Sequence, residues 1–184
     1  MKYLFSVLIA CCLSASAWAL EGFDYDWNIQ PGEGSTIHFV AKKSAPPPLS
    51  TKGEPAARMS VMSEPHFESQ SLGALVRAQV VQIKMRADLA PYPEKDNAPK
   101  DGIAIYTENH LNIPVAFIKY RVLGEKGAPV AMPRTVRHAI FIREGRVYYV
   151  HLFVLDTEEQ ETMRADQIKI IEQILQMDLT PPTK

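Results

Sequence analysis

Apolar residues fall along this chain in three patterns: one unbroken run, several stretches of period two, and two stretches near period 3.6. The unbroken run covers residues 3–13 behind a single charged residue, Lys2. It is too short to cross a bilayer as a helix, which takes about 20 residues. Period two begins at Phe23, Tyr25, Trp27 and Ile29, alternating with Asp24, Asp26 and Asn28, and predicts a half-buried strand. Pro31, Gly32, Glu33 and Gly34 predict a turn. Residues 35–41 then predict a strand with Ile37 and Phe39 on one face and His38 and Val40 on the other. Residues 56–63 predict a third, with Ala57, Met59 and Val61 facing one way. Between them residues 42–55, with Pro46, Pro47, Pro48, Gly53 and Pro55, read as a mobile loop joining antiparallel neighbours. Further on, residues 103–107 predict a short strand, and residues 114–123 a longer one with Ala116, Ile118, Tyr120 and Val122 on one face. Residues 135–143 and 146–155 flank Glu144-Gly145 and predict a hairpin.

The helical period appears twice. Leu72, Leu75, Val76, Val80, Ile83 and Ala87 form one stripe, which Ser69 or Ser71 can cap and which ends near residues 87–89, before Pro91 and Pro93. Near the C-terminus, Ile168, Ile171 and Leu175 form a second stripe, widened by Ile170, Ile174 and Met177. Thr157 and Gln160 form a capping box before it, Glu158, Glu159 and Glu161 sit in its first turn, and Pro181-Pro182 prevents its continuation. Residues 90–102 and 124–133 read as connections.

The N-terminal run changes the meaning of the composition. Lys2, the run itself and Ala17-Trp18-Ala19 together have the form of a secretory signal, with cleavage after Ala19 and a mature chain from Leu20. Leu8-Ile9-Ala10-Cys11 offers an alternative, a lipobox that would anchor the chain to the envelope through Cys11. Cys11 and Cys12 are the only cysteines, so cleavage leaves no disulfide and no thiol chemistry. The mature chain, one domain of residues 20–184, contains no further stretch long and apolar enough to span a membrane. The 20 Lys and Arg nearly balance the 21 Asp and Glu, and loss of Lys2 adds one negative unit. That balance gives no electrostatic footprint for nucleic acid.

Candidate chemistry is sparse. Asp24, Asp26 and Asn28 have the opening spacing of a calcium loop, but Ile29 and Ser35 stand where the loop needs Gly and a bidentate Glu. The strand's solvent face explains them instead. A two-residue Glu144-Gly145 loop puts His138 directly opposite His151, where two imidazoles could contribute to a metal site; a bulge at Gly145 would set His138 against Val150. His66 with Glu68, and Glu108 with His110, read as polar loop pairs. Phe141, Tyr148, Tyr149 and Phe153 make the hairpin aromatic, with one face for packing on the last helix. No nucleotide, metalloprotease or serine-hydrolase motif occurs, so no catalytic residue and no cofactor is assigned.

Strands first, a helix mid-chain, an antiparallel meander and a terminal helix define an α+β protein, its helices packed on an antiparallel sheet. In the order of residues 35–41, 56–63, 71–88, 114–123 and above all 136–175, the chain resembles the PsbP-like fold. That resemblance implies an α/β/α sandwich and a family whose members mostly bind partners; it carries no functional residue. The expectation is an exported, periplasmic or secreted binding or accessory protein, chaperone- or inhibitor-like, whose partner is another envelope protein. Two alternatives stay open: a hydrolase or metal-dependent enzyme using histidines gathered in space, and a lipoprotein anchored at Cys11.

Overall fold

The computed structural model describes residues 22–42, 55–90, 102–125, 134–155 and 160–177. The signal segment, most of the proline-rich loop, and the Thr157 cap lie outside the described residues. Eight strands form one antiparallel sheet: β1 (Trp27–Pro31), β2 (Ile37–Ala41), β3 (Ala57–Pro65), β4 (Ala87–Ala90), β5 (Ile103–His110), β6 (Ile113–Glu125), β7 (Arg134–Arg143) and β8 (Arg146–Leu155). Helix α1 (Leu72–Arg86) precedes β4, and α2 (Gln160–Gln176) follows β8. The spatial order is β1-β2-β3-β8-β7-β6-β4, and β5 also pairs with β6. β6 is long enough for two partners on one edge: β5 pairs along Ile113 to Tyr120 and β4 along Arg121 to Glu125.

Alternation along the central strands sorts side chains to two faces. Val115 and Phe117 of β6, Ala139 and Phe141 of β7, and Tyr148, Val150, Leu152 and Val154 of β8 join Phe39, Met59 and Val61 in a core closed by α2. Ala116, Ile118, Tyr120, Val136, Ile140 and Val147 point the other way and pack with Leu75, Val76 and Ile83 of α1. A sheet buried on both sides between two helices is the α/β/α sandwich expected from the order of elements. Ser71 caps α1 as expected: its hydroxyl accepts from the Ala74 N–H at 3.2 Å.

Four details differ from expectation. The first strand starts at Trp27, not Phe23, because Asp24 and Tyr25 turn their backbone N–H groups to the carboxylate of Asp166 on α2. Helix α1 passes into β4 without a connection, since Ala87 is both its C-cap and the first residue of the strand. β5 continues to His110, and Leu111 and Asn112, with φ of 49° and 64°, close the hairpin to β6. Such a turn needs positive φ at both central residues, for which Leu-Asn is a weak signal. Finally, the buried stripe of α2 is centred on Met163, Ile170, Ile171 and Ile174 and includes two polar residues, Asp166 and Gln167, while Ile168 is only partly buried.

Candidate functional site

The β7–β8 loop has two residues, Glu144 at φ 49° and Gly145 at φ 69°. Positive φ at both positions matches the twist of the flanking strands, so no bulge forms and the register runs without a break. His138 therefore stands opposite His151, with ring centroids 4.0 Å apart. Both rings lie on the α1 face of the sheet. The Gln79 amide N–H, reaching down from α1, donates to His138 Nδ1 at 3.2 Å. That leaves Nε2 as the protonated nitrogen, donating to the Tyr120 hydroxyl oxygen at 3.0 Å. His151 Nε2 is buried and has no hydrogen-bond partner.

These groups floor a cavity of about 640 Å³ between the flank of α1 and strands β6, β7, β8 and β3. Met62, Ile83, Val122, Leu123, Val136 and Phe153 make its apolar walls. Gln79, Gln82, Arg86 and Arg134 supply polar edges. The size and the balance, mostly apolar with a few convergent polar groups, are those of a small-molecule site. Among the described residues lining it there is no serine, threonine, cysteine or carboxylate.

Burial dominates the electrostatics. It pushes the Tyr120 hydroxyl up to about 12 and the His151 imidazole down from 6.5 to about 4. His138 is held well below its ordinary value, first by burial and then by the neighbouring His151. Both imidazoles are thus neutral at physiological pH. The sign of the pH effect follows. The unfolded chain takes up protons near pH 6.5 that the native site refuses, so this contribution is intact above about 6.5 and is lost as the pH falls toward about 4. The slope reaches at most about 1.4 kcal/mol per pH unit for each histidine. Urea denaturation at about pH 7.5 and pH 5 should therefore show a larger loss for the wild type than for His151→Gln. Equal losses would mean that the ring protonates freely in the folded protein.

The two histidines singled out in the sequence are thus brought together. As a metal centre they supply two of the four ligands zinc takes, and among the described residues no group of three or more His, Cys, Asp or Glu could hold an ion. The other sequence candidates have structural partners. Asp26 pairs with Lys42 at 2.6 Å and Asp24 with Lys169 at 2.8 Å; they precede the strand whose solvent face they were expected to form, while Asn28 sits exposed in β1. His66 Nε2 donates to the Gln70 carbonyl at 2.7 Å, and Glu68 is exposed in a turn. Glu108 and His110 lie on β5, not in a loop, and contact each other at 3.3 Å. Of the aromatic hairpin residues, Phe141 and Tyr148 stack on the α2 side, while Phe153 lines the cavity. Tyr120, Gln79 and the cavity itself were missed. The available signal was the Arg137-His138 pair, the only charged or titratable side chains within an otherwise apolar stretch of β7 buried on both faces.

Fold and site define a class: a two-faced antiparallel sheet between helices, with a ligand-sized cavity under one helix. No protein-family model matches the chain, and no curated protein matches it. Solved structures do. Protein PA94 of Pseudomonas aeruginosa, described as of unknown function, is similar at 11% identity and TM-score 0.41, over 85% of this chain and 99% of that one. LpqN of Mycobacterium tuberculosis, involved in cell envelope biogenesis, is similar at 15% identity and TM-score 0.44, over 80% of this chain and 76% of its own. The cyanobacterial PsbP of Synechocystis sp. PCC 6803 is similar at 10% identity and TM-score 0.42, over 85% and 95%. The PsbP-like resemblance therefore reappears among solved structures. At such identities and TM-scores nothing about ligands or partners passes from these proteins to this chain. Among the described residues, no helix is long and apolar enough to cross a membrane.

Proposed function

We propose that this chain is an exported binding protein, cleaved after Ala19, whose single domain takes a small amphipathic ligand into the cavity under α1. The cavity carries the reading. Its apolar walls fit a hydrocarbon body, and its floor offers a tyrosine hydroxyl, a neutral imidazole pair and the orphaned His151 Nε2 to a polar head. Arg86 and Arg134 at the edge favour a head that is anionic. Binding is preferred over hydrolysis because Gln79, His138 and Tyr120 bond to one another, and among the described residues no serine, threonine, cysteine or carboxylate lines the cavity. The signal-like sequence of residues 1–19 supports export to the periplasm or beyond. Delivery or sequestration of such a ligand is an accessory role, and a second envelope protein is the natural recipient.

A dansyl-labelled undecanoic acid serves as probe, titrated into exported protein whose intact mass matches a chain beginning at Leu20. Its emission should rise and shift to the blue on saturable binding. Gln82→Trp, placed on the exposed side of the helix to crowd the cavity, should weaken binding at least tenfold. A probe response that survives unchanged both in Gln82→Trp and in competition with unlabelled decanoic acid would sink the proposal.

A further inference from the structure

The residue beside His138 faces the opposite side of the sheet and is unsatisfied there. Arg137 is 3% exposed, at the middle of β7. Its guanidinium carbon lies 4.0 Å from the centroid of the Phe117 ring, and its Nε donates to the Tyr106 hydroxyl at 3.0 Å. These contacts fix the plane of the group and leave its fork free. Nη1 and Nη2 are both buried, and among the described residues neither has a hydrogen-bond partner. The nearest carboxylate oxygen, on Glu108, is 3.9 Å from Nη2. Glu108 is shared: Arg164 reaches it at 3.4 Å and His110 at 3.3 Å. A guanidinium stays charged in a protein, and a buried charge with unfilled donors is costly unless something fills them.

The space beside the fork is shaped for an acceptor. A pocket of about 40 Å³ lies against Arg137 and is lined also by Tyr106, Lys119, Thr135 and Arg164. One water needs only roughly 10–15 Å³, so the pocket admits a larger group. Among the described residues its three cations outnumber the two carboxylates within reach, Glu108 and Glu161, and Glu161 is spent on Arg164 with its side chain 77% exposed. We infer that this pocket, between β7 and α2, binds a small oxyanion, two of whose oxygens accept from the Arg137 fork while Lys119 and Arg164 neutralise it at the rim. A planar guanidinium matches two oxygens on one atom, which phosphate and carboxylates share and chloride lacks. This site is separate from the cavity under α1, on the opposite face of the sheet.

Isothermal titration calorimetry on the full mature chain tests it, with sodium phosphate and sodium acetate as probes and sodium chloride at matched ionic strength as reference. Saturable one-to-one binding of phosphate or acetate is expected, and which of the two binds identifies a tetrahedral or a planar ligand. The rim substitutions Lys119→Gln and Arg164→Gln, both at accessible positions, should each weaken that binding several-fold and together more than tenfold. Arg137→Lys keeps the charge but loses the fork, and should weaken it at least tenfold. If that variant does not fold, the rim pair still decides. Absence of saturable binding, equal binding of chloride, or undiminished affinity in the rim double variant would each overturn the site, the first meaning that water alone fills the fork.

Discussion

Asp166→Ala should destabilise the protein by about 3–5 kcal/mol, the range for removing one member of a buried charged network. The Asp166 carboxylate is fully buried. One oxygen accepts from the Asp24 N–H at 2.8 Å, the other from the Tyr25 N–H and from the Trp27 indole Nε1, both at 2.9 Å. Lys169 Nζ lies 3.4 Å from the first. Alanine leaves those donors without this acceptor; the Trp27 indole N–H among them is buried, and a buried orphan costs about 1–3 kcal/mol. The N-terminal segment would lose its attachment to α2 and with it the fixed position of Trp27. In a chain beginning at Leu20 that is the sole tryptophan. Urea denaturation followed by tryptophan emission therefore reads both effects, a lower midpoint and a native spectrum shifted to the red. Asp166→Asn should lie between, since its amide N–H₂ would oppose a backbone donor. A loss below about 1 kcal/mol with an unchanged spectrum would mean that the segment docks without the carboxylate.

Ile171→Ala is the second large effect, expected at about 2–5 kcal/mol from lost transfer energy plus the cavity left behind. Ile171 has no exposed surface and shares a core with Met163, Ile170 and Ile174 and with Tyr148, Val150, Leu152 and Val154 of β8. Ile168→Ala on the same helix should cost clearly less, because Ile168 is only partly buried. A chain beginning at Leu20 contains no cysteine, so no disulfide softens either loss. The two variants measured side by side, in reducing and non-reducing buffer, check the packing. Equal effects would mean that α2 turns its stripe differently against the sheet.

That contrast marks what could be read from the chain. Period two placed the faces of β2, β3 and β6 correctly, and Glu144-Gly145 marked the hairpin and allowed two registers, of which the structure has the one that joins His138 to His151. These are local properties, decided within a few residues of the turn or strand. Asp166 and Gln167 were not legible, because a polar residue on a helix is read as solvent-facing. They lie on the buried stripe only because their partners come from elsewhere: the backbone before β1 for Asp166, the Arg137 and Val150 carbonyls for Gln167. β4 was hidden for a similar reason, being four residues long and paired with the far end of β6. The cavity escaped because its lining comes from five separated strands and helices, and a void leaves no pattern in any one of them.

The direct passage from α1 into β4 bears on how the cavity behaves. The Ala87 N–H closes the last turn of the helix on the Ile83 carbonyl, while Ala87 itself pairs with Glu125 in the sheet. The helix is therefore a cantilever, clamped to the sheet at its C-terminal end. The residues it contributes to the cavity, Gln79, Gln82, Ile83 and Arg86, lie in the half nearest that clamp. A cantilever deflects least beside its support. Spreading the walls there would mean stripping β4 from β6, so the width of the cavity is a property of the frame and a guest must match it in size.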